Sequence, residues 1–125
     1  MEGEFKISSE QVQVKVPVTV VRVHGWLDGQ SEGHLLEAAR NAYEQGARFI
    51  LIDMKALKTL TSAGMRALQK VYQMFTPKED RFKIAHLRVC QAPPQIYDIL
   101  GITGFLQNIP VHESVDIALE AFGND

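Results

Sequence analysis

The chain has 125 residues and a formal net charge of −2. This length predicts one domain with a single core, and the net charge gives no electrostatic indication of a protein that binds nucleic acid or an anionic membrane. One cysteine cannot form an internal disulfide, and no apolar run reaches the ~20 residues that span a bilayer, so we expect a cytoplasmic protein without direct membrane insertion.

The first half of the chain predicts a hairpin, a helix and a buried strand. Residues 1–10 are polar and are expected to be loose. Valines alternate with polar residues over 12–16, and an apolar run follows over 18–23, which together predict two paired strands. Apolar residues at helical spacing over 35–43 predict a helix, and the continuous apolar run 48–54 predicts a strand that is covered on both faces.

The middle of the chain predicts a helix followed by a strand. An apolar stripe indicates a helix from Ala63 that ends before Pro77. After a charged turn, residues 82–87 predict a further strand.

The last part of the chain predicts two helices around an edge strand. Residues 93–94 are prolines that open a short helix, which ends at Gly101. Residues 108–111 predict an edge strand, and Ser114 caps a final helix. The resulting order β-β-α-β-α-β-α-β-α predicts one α/β domain with a mixed, mainly parallel sheet of about five strands and about four α-helices.

Two patterns associated with enzymes are better explained as structural. Residues 29–33 spell G-x-S-x-G, but the chain between the predicted strand and Ser31 is too long for a nucleophile turn, so we interpret Ser31 as part of a helix-capping stretch. Asp53 follows an apolar strand like the phosphoacceptor of a receiver domain. The acidic pair and the lysine that would complete such a site with magnesium are missing from the expected strand ends.

Other candidate catalytic groups are isolated in the sequence. The four histidines show no metal-ligand spacing, and Cys90 is interpreted as a small packed residue rather than a nucleophile. We therefore expect no catalytic residue, no metal and no cofactor.

Residues 60–65, LTSAGM, place two hydroxyls and a glycine where a helix begins. Thr61 or Ser62 can accept a hydrogen bond from the first helical turn, worth about 1 kcal/mol, and Gly64 permits close packing. The same helix N-terminus tolerates a phosphate on Ser62, which would add charge beside the small or apolar residues 63–65 and repel a docked protein. Capping alone and a phosphorylation switch both remain open from these residues.

Several segments, taken in order, resemble the STAS domain, named for sulfate transporters and anti-sigma factor antagonists. They are VTVVRVHGWLD, FILIDMKAL, LTSAGMRAL, ILGITGF and VHESVDIALEAF, between residues 18 and 122. The resemblance implies a single STAS domain over residues 1–125, with helices mainly on one side of the sheet, no catalytic centre and no cofactor.

The resemblance also implies a role in partner switching. Bacterial stand-alone members of the family bind an anti-sigma factor when unphosphorylated, which frees the sigma factor. The anti-sigma factor is also a serine kinase of the GHKL type, and a PP2C-type phosphatase reverses its action. Ser62 aligns with the phosphoacceptor, and Asp28 and Asp53 align with recurrent aspartates that line or support the same surface. The implied partner-binding residues are Trp26, Asp28, Thr61, Ser62, Ala63, Gly64 and Met65.

One residue departs from the family pattern. Thr61 stands where many switching members have Asp, so Thr61 and Thr59 are alternative phosphoacceptors.

An alternative function is a non-phosphorylated subunit or scaffold of a lipid-transport or stress-sensing complex. A third, a small-ligand or enzymatic domain, requires a concave polar pocket. From sequence alone, Trp26 is either a core residue or an exposed partner contact.

Overall fold

The computed structural model describes residues 4–125. Within this range, strands and helices alternate after an initial strand pair. The strands are β1 (Lys6–Gln13), β2 (Pro17–Leu27), β3 (Ile50–Leu60), β4 (Leu87–Cys90) and β5 (Val111–His112). The α-helices are α1 (Glu32–Glu44), α2 (Ser62–Phe75), α3 (Pro94–Ile102) and α4 (Val115–Ala121), and short 3-10 helices cover Lys78–Asp80 and Phe105–Gln107.

The strands form one sheet in the order β1-β2-β3-β4-β5. The short turn between β1 and β2 makes that pair antiparallel. The other neighbours are parallel, because the helix between them returns the chain to the same edge of the sheet. The predicted class, a mixed and mainly parallel five-stranded sheet with four helices, is confirmed.

Alternate residues of the central strands pack on opposite faces of the sheet. On one face, Val21 and Ile52 belong to a large core with apolar residues of α1, α2 and α3. On the other face, Val20 and Leu51 belong to a smaller core with Ala118 of α4. The helices therefore lie mainly on one side, as expected, and we call the other side the α4 face.

The polar N-terminal segment is part of the sheet. The expectation that residues 1–10 are loose is wrong for residues 6–10, which pair with β2; the first three residues lie outside the described range. The strand predicted over 12–16 is displaced, because β1 ends at Gln13 and Pro17 begins β2. Backbone pairing along an edge strand defines β1, whose side chains are largely exposed and carry little apolar signal.

β3 is longer than its apolar run. We predicted an end at residue 54, whereas the strand continues to Leu60. Its register with β2 shifts at two points, each of which inserts one additional residue of β3. Such bulges bend and twist a strand, and they lie beyond the continuous apolar run 48–54 from which the boundary was predicted.

β4 is shorter than predicted, and β5 is displaced from its predicted position. Residues 82–86 form a loop in which Phe82 has a φ of 68°, so β4 begins only at Leu87. β5 covers Val111–His112 rather than residues 108–111.

Candidate functional site

The loop between β2 and α1 is closed by its own hydrogen bonds. The buried Ser31 donates from Oγ to the Trp26 carbonyl at 2.7 Å, and the same Oγ accepts from the Asp28 N–H at 2.9 Å. Oδ1 of Asp28 accepts from the backbone N–H groups of Gln30 and Ser31, at 3.0 and 3.2 Å. Ser31 stands at the N-cap position of α1, but its side chain makes no hydrogen bond to the helix; its hydroxyl closes the preceding loop instead, which is a structural role.

Thr61 is the residue that caps α2. Its Oγ1 accepts from the Gly64 N–H at 3.4 Å, and its carbonyl accepts from the Met65 N–H at 2.9 Å. The Thr61 N–H also donates to the Leu27 carbonyl at 3.1 Å. The sequence left Thr61 and Ser62 as alternative caps, and the structure assigns this role to Thr61.

Gly64 allows α2 to lie directly against the end of β2. A Cβ at this position would lie 2.3 Å from the Leu27 carbonyl oxygen and 2.8 Å from Cδ1 of Leu60. Cβ atoms do not approach backbone oxygens so closely, and therefore glycine is required if α2 is to begin here. The close packing that the sequence predicted at Gly64 is confirmed.

Ser62 is exposed at the first residue of α2. The loop from β2 approaches this turn, since a Cβ added to Gly29 would lie 3.8 Å from that of Ala63. Arg66 is exposed four residues after Ser62, and this spacing places both on one face of the helix. We call the surface formed by Asp28, Gly29, Ser62, Ala63 and Arg66 the Ser62 patch.

Sequence reasoning did not identify Arg66. The i, i+4 spacing from Ser62 was the signal that could have identified it, because a cation at this position can contact a group carried on Ser62.

Some residues expected at the partner surface are placed elsewhere. Gly64 and Met65 are buried residues of α2, so they shape its first turn and do not form a contact surface; that expectation is corrected. Trp26 is 44% exposed, which resolves the alternative between core and surface in favour of surface. It alternates with the buried Leu27 along β2, so its ring lies on the α4 face, whereas α2 packs on the other side.

Asp53 does not support the Ser62 patch. It pairs with Arg22 of β2 and Cys90 of β4. At about 3.3 Å per residue, the β3 segment from residue 53 to residue 60 separates it from the start of α2 by roughly 20 Å. The expectation that Asp53 and Asp28 serve one surface is therefore wrong.

The surroundings of Asp53 are those of a fixed structural carboxylate. Oδ1 accepts from the Lys55 N–H and from Nε2 of Gln91, both at 3.0 Å. Nε of Arg22 lies 3.7 Å from Oδ2.

Burial, reinforced by the Asp53 charge and opposed by Arg22, raises the pKa of the Cys90 thiol to about 12. The thiol is therefore protonated at neutral pH, consistent with a packed cysteine.

The described residues show neither a metal cluster nor a membrane helix. Within residues 4–125, no group of three His, Cys, Asp or Glu side chains is arranged to hold a metal ion. In the same range, no helix is long and apolar enough to cross a membrane.

The comparisons with known proteins agree with this geometry. Residues 10–118 match the family model of the STAS domain. BtrV of Bordetella bronchiseptica, described as a candidate anti-sigma factor antagonist, is 29% identical over 79 residues, which cover 63% of this chain and 64% of BtrV. The match thus spans less than two thirds of that relative.

Solved structures share the fold. An anti-sigma factor antagonist from Mycobacterium paratuberculosis superposes with a TM-score of 0.76 at 24% identity, over 96% of both chains. The anti-sigma factor antagonist SpoIIAA in its unphosphorylated form superposes with a TM-score of 0.69 at 16% identity, over 90% of this chain and 94% of that chain. SpoIIAA of Bacillus in its phosphorylated form superposes with a TM-score of 0.64 at 15% identity, over 90% of this chain and 97% of that chain. At these identities the likeness establishes the fold, and because the family model matches most of the chain, this protein belongs to the STAS domain family.

Proposed function

We propose that this STAS protein is an anti-sigma factor antagonist controlled by reversible phosphorylation of Ser62. The observation that carries the proposal is the exposed Ser62 side chain at the first residue of α2. Thr61 supplies the cap of the helix, so a kinase can modify Ser62 while the cap remains in place. A protein with the same fold, SpoIIAA of Bacillus, is described in a phosphorylated form.

A phosphate on Ser62 would change the charge of the patch without unfolding α2. It adds about −1.5 to −2 charges at pH 7. The N–H groups of Gly64 and Met65 are bound to Thr61, whereas those of Ser62 and Ala63 precede them at the positive end of the helix dipole, where an anion is stabilised. The guanidinium of Arg66 lies one turn further along the same face.

This change in charge supplies the switch. In the unphosphorylated form, the Ser62 patch binds the anti-sigma factor through a small surface that includes Asp28. Phosphorylation adds a negative group to a patch that already carries the Asp28 carboxylate. A bound partner would have to desolvate this phosphate, and the cost favours dissociation. The anti-sigma factor is itself a serine kinase of the GHKL type, and a PP2C-type phosphatase restores the unphosphorylated form. The protein acts by binding in the cytoplasm and has no catalytic role of its own.

The alternative acceptors fit the structure less well. Thr61 is half-buried and its hydroxyl oxygen accepts the capping hydrogen bond. Thr59 is also half-buried and lies within β3, opposite Trp26. Phosphorylation of Thr61 would disturb the cap, and Thr59 is less accessible to a kinase than the exposed Ser62.

A second candidate function is a non-phosphorylated subunit or scaffold of a lipid-transport or stress-sensing complex. It is favoured by Thr61, since a kinase that requires a carboxylate directly before the serine would not use this site. Under this alternative, the protein stays bound to its assembly when Ser62 is replaced by Asp.

Phosphorylation in vitro tests the proposal. The purified protein is incubated with ATP and a GHKL-type kinase of the same genome, and intact mass is measured. We expect one phosphate on the wild type and none on Ser62→Ala. Ser8→Ala removes another exposed serine, in β1, and serves as the control that keeps its phosphate. An unchanged phosphate count in Ser62→Ala would overturn the assignment, and a partner retained by Ser62→Asp would support the scaffold alternative.

A further inference from the structure

The α4 face of the sheet is covered at one end and open at the other. Helix α4 packs on the early parts of β2 and β3, through a core that includes Val20 and Leu51. Further along β2, the residues on this face are Arg22, His24 and Trp26, all of which are exposed.

The two bulges in β3 add lysines to the open part of the sheet. The register runs from Arg22 opposite Asp53 to His24 opposite Ala56, so β3 contains one additional residue there. As a result, two consecutive residues, Lys55 and Ala56, are exposed. The second shift, beside Trp26, accompanies the exposed Lys58.

β1 contributes a further cation. Lys6 pairs directly with His24, and directly paired residues of neighbouring strands point to the same face. Lys6 is exposed. We call the surface formed by Lys6, Arg22, His24, Trp26, Lys55 and Lys58 the basic face.

The basic face has unpaired positive charge. Among the described residues, the carboxylates that approach a cation of this face to 4.0 Å or less are Glu10 and Asp53, and in both cases the cation is Arg22, at 2.7 Å from Glu10 Oε1 and 3.7 Å from Asp53 Oδ2. Within residues 4–125, no carboxylate lies within 4.0 Å of the ammonium groups of Lys6, Lys55 and Lys58. A chain with a net charge of −2 therefore carries a local cluster of cations around an exposed tryptophan.

We propose that the basic face is a docking surface for an acidic segment of a protein partner, with Trp26 packed against an apolar residue of that segment. Charge complementarity identifies the occupant, because uncompensated lysines around an aromatic side chain attract carboxylates and offer apolar contact at their centre. A protein segment is favoured over a nucleic acid or a membrane, since the net negative charge of the chain opposes attraction to an extended polyanion.

The basic face adjoins the Ser62 patch without being part of it. Trp26 lies opposite Thr59 at the end of the β2–β3 pair, and the chain reaches the first residue of α2 shortly after Thr59. One partner can therefore contact both surfaces. The inference goes beyond the proposed function, because docking on the basic face requires no phosphorylation of Ser62.

Trp26 itself reports on occupancy, since it is the single tryptophan of the chain. Its fluorescence is measured during titration with a short peptide of alternating Glu and Leu, and with the matched peptide that has Gln in place of Glu. We expect a saturable change with the Glu peptide, weakened by added salt, and no saturable change with the Gln peptide. The Lys55→Glu/Lys58→Glu variant should bind the Glu peptide about tenfold more weakly or worse.

A charge-matched control separates local from overall electrostatics. Lys70 and Lys78 are exposed and lie outside the basic face, so Lys70→Glu/Lys78→Glu should bind the Glu peptide like the wild type. The proposal is overturned if the Glu peptide gives no saturable change, if the Gln peptide binds equally, or if both double variants lose affinity alike. It is also overturned if phosphatidylglycerol vesicles or a single-stranded oligonucleotide bind in preference to the Glu peptide. No kinase or anti-sigma factor is present, so the result is separate from that of Ser62 phosphorylation.

Discussion

The contact between Gly64 and the end of β2 yields a quantitative prediction for Gly64→Ala. The added Cβ would lie 2.3 Å from the Leu27 carbonyl oxygen, whereas carbon–oxygen contacts in proteins lie at about 3.3–3.6 Å. The first turn of α2 must therefore move by about 1 Å. The backbone fixes the position of the Cβ, and the Leu27 oxygen belongs to the backbone, so no side-chain rotation relieves the clash. The movement also weakens the hydrogen bond from the Thr61 N–H to the Leu27 carbonyl.

The expected cost follows from two opposing effects. Overpacking lowers the free energy of unfolding by about 1–3 kcal/mol, and the higher helix propensity of alanine returns at most about 1 kcal/mol. We expect a net loss of about 1–2 kcal/mol. With a urea m-value of about 2 kcal/mol/M, this loss lowers the unfolding midpoint by about 0.5–1 M.

Gly33 provides a matched control for this experiment. It also lies in the first turn of its helix, α1, but a Cβ there would meet nothing within 4 Å. Gly33→Ala should therefore leave stability unchanged or raise it by up to about 1 kcal/mol. If urea denaturation, followed by circular dichroism, finds Gly64→Ala as stable as the wild type, or both variants equally destabilised, the steric argument is refuted.

The remaining predictions concern Thr61 and Cys90. Thr61→Ala should lower the free energy of unfolding by about 1 kcal/mol through loss of the cap, whereas Thr61→Ser should restore most of it; equal urea midpoints for Thr61→Ala and the wild type would contradict the capping role. The raised pKa of the Cys90 thiol, about 12 against an ordinary 9.0, predicts that the folded protein reacts very slowly with a thiol reagent at pH 8 and rapidly in urea. Because the folded state retains this proton when the unfolded state loses it, the same shift predicts that stability falls as the pH rises above about 9 towards 12. A Cys90→Ala variant with the same pH dependence would refute that assignment.

The sequence predicted the elements of the fold better than their ends. Apolar periodicity identified the helices and the central strands, because these elements bury one or both faces against a core. It misplaced β1, an edge strand held by backbone pairing to β2, whose side chains are largely exposed and polar. It also gave the wrong end for β3, because the strand continues through two bulges beyond the apolar run that ends at residue 54.

The expectation for Asp53 was implied by the family resemblance, which aligns residues without giving the distances between them. Because β3 continues to Leu60, the carboxylate instead lies beside Arg22 and Gln91 on the α4 face. The roles of Thr61 and Gly64 depend on how close α2 lies to Leu27. Sequence spacing indicates that the helix starts there but does not give that distance.

The most direct test of the central claim compares the affinity of the anti-sigma factor for the bare protein and for the protein phosphorylated at Ser62. Isothermal titration calorimetry with a non-hydrolysable ATP analogue keeps each form unchanged during the measurement. We expect phosphorylation to weaken binding by about 2–3 kcal/mol, or roughly 30- to 150-fold in Kd, with the circular dichroism spectrum unchanged. Equal affinity of the two forms would contradict the account.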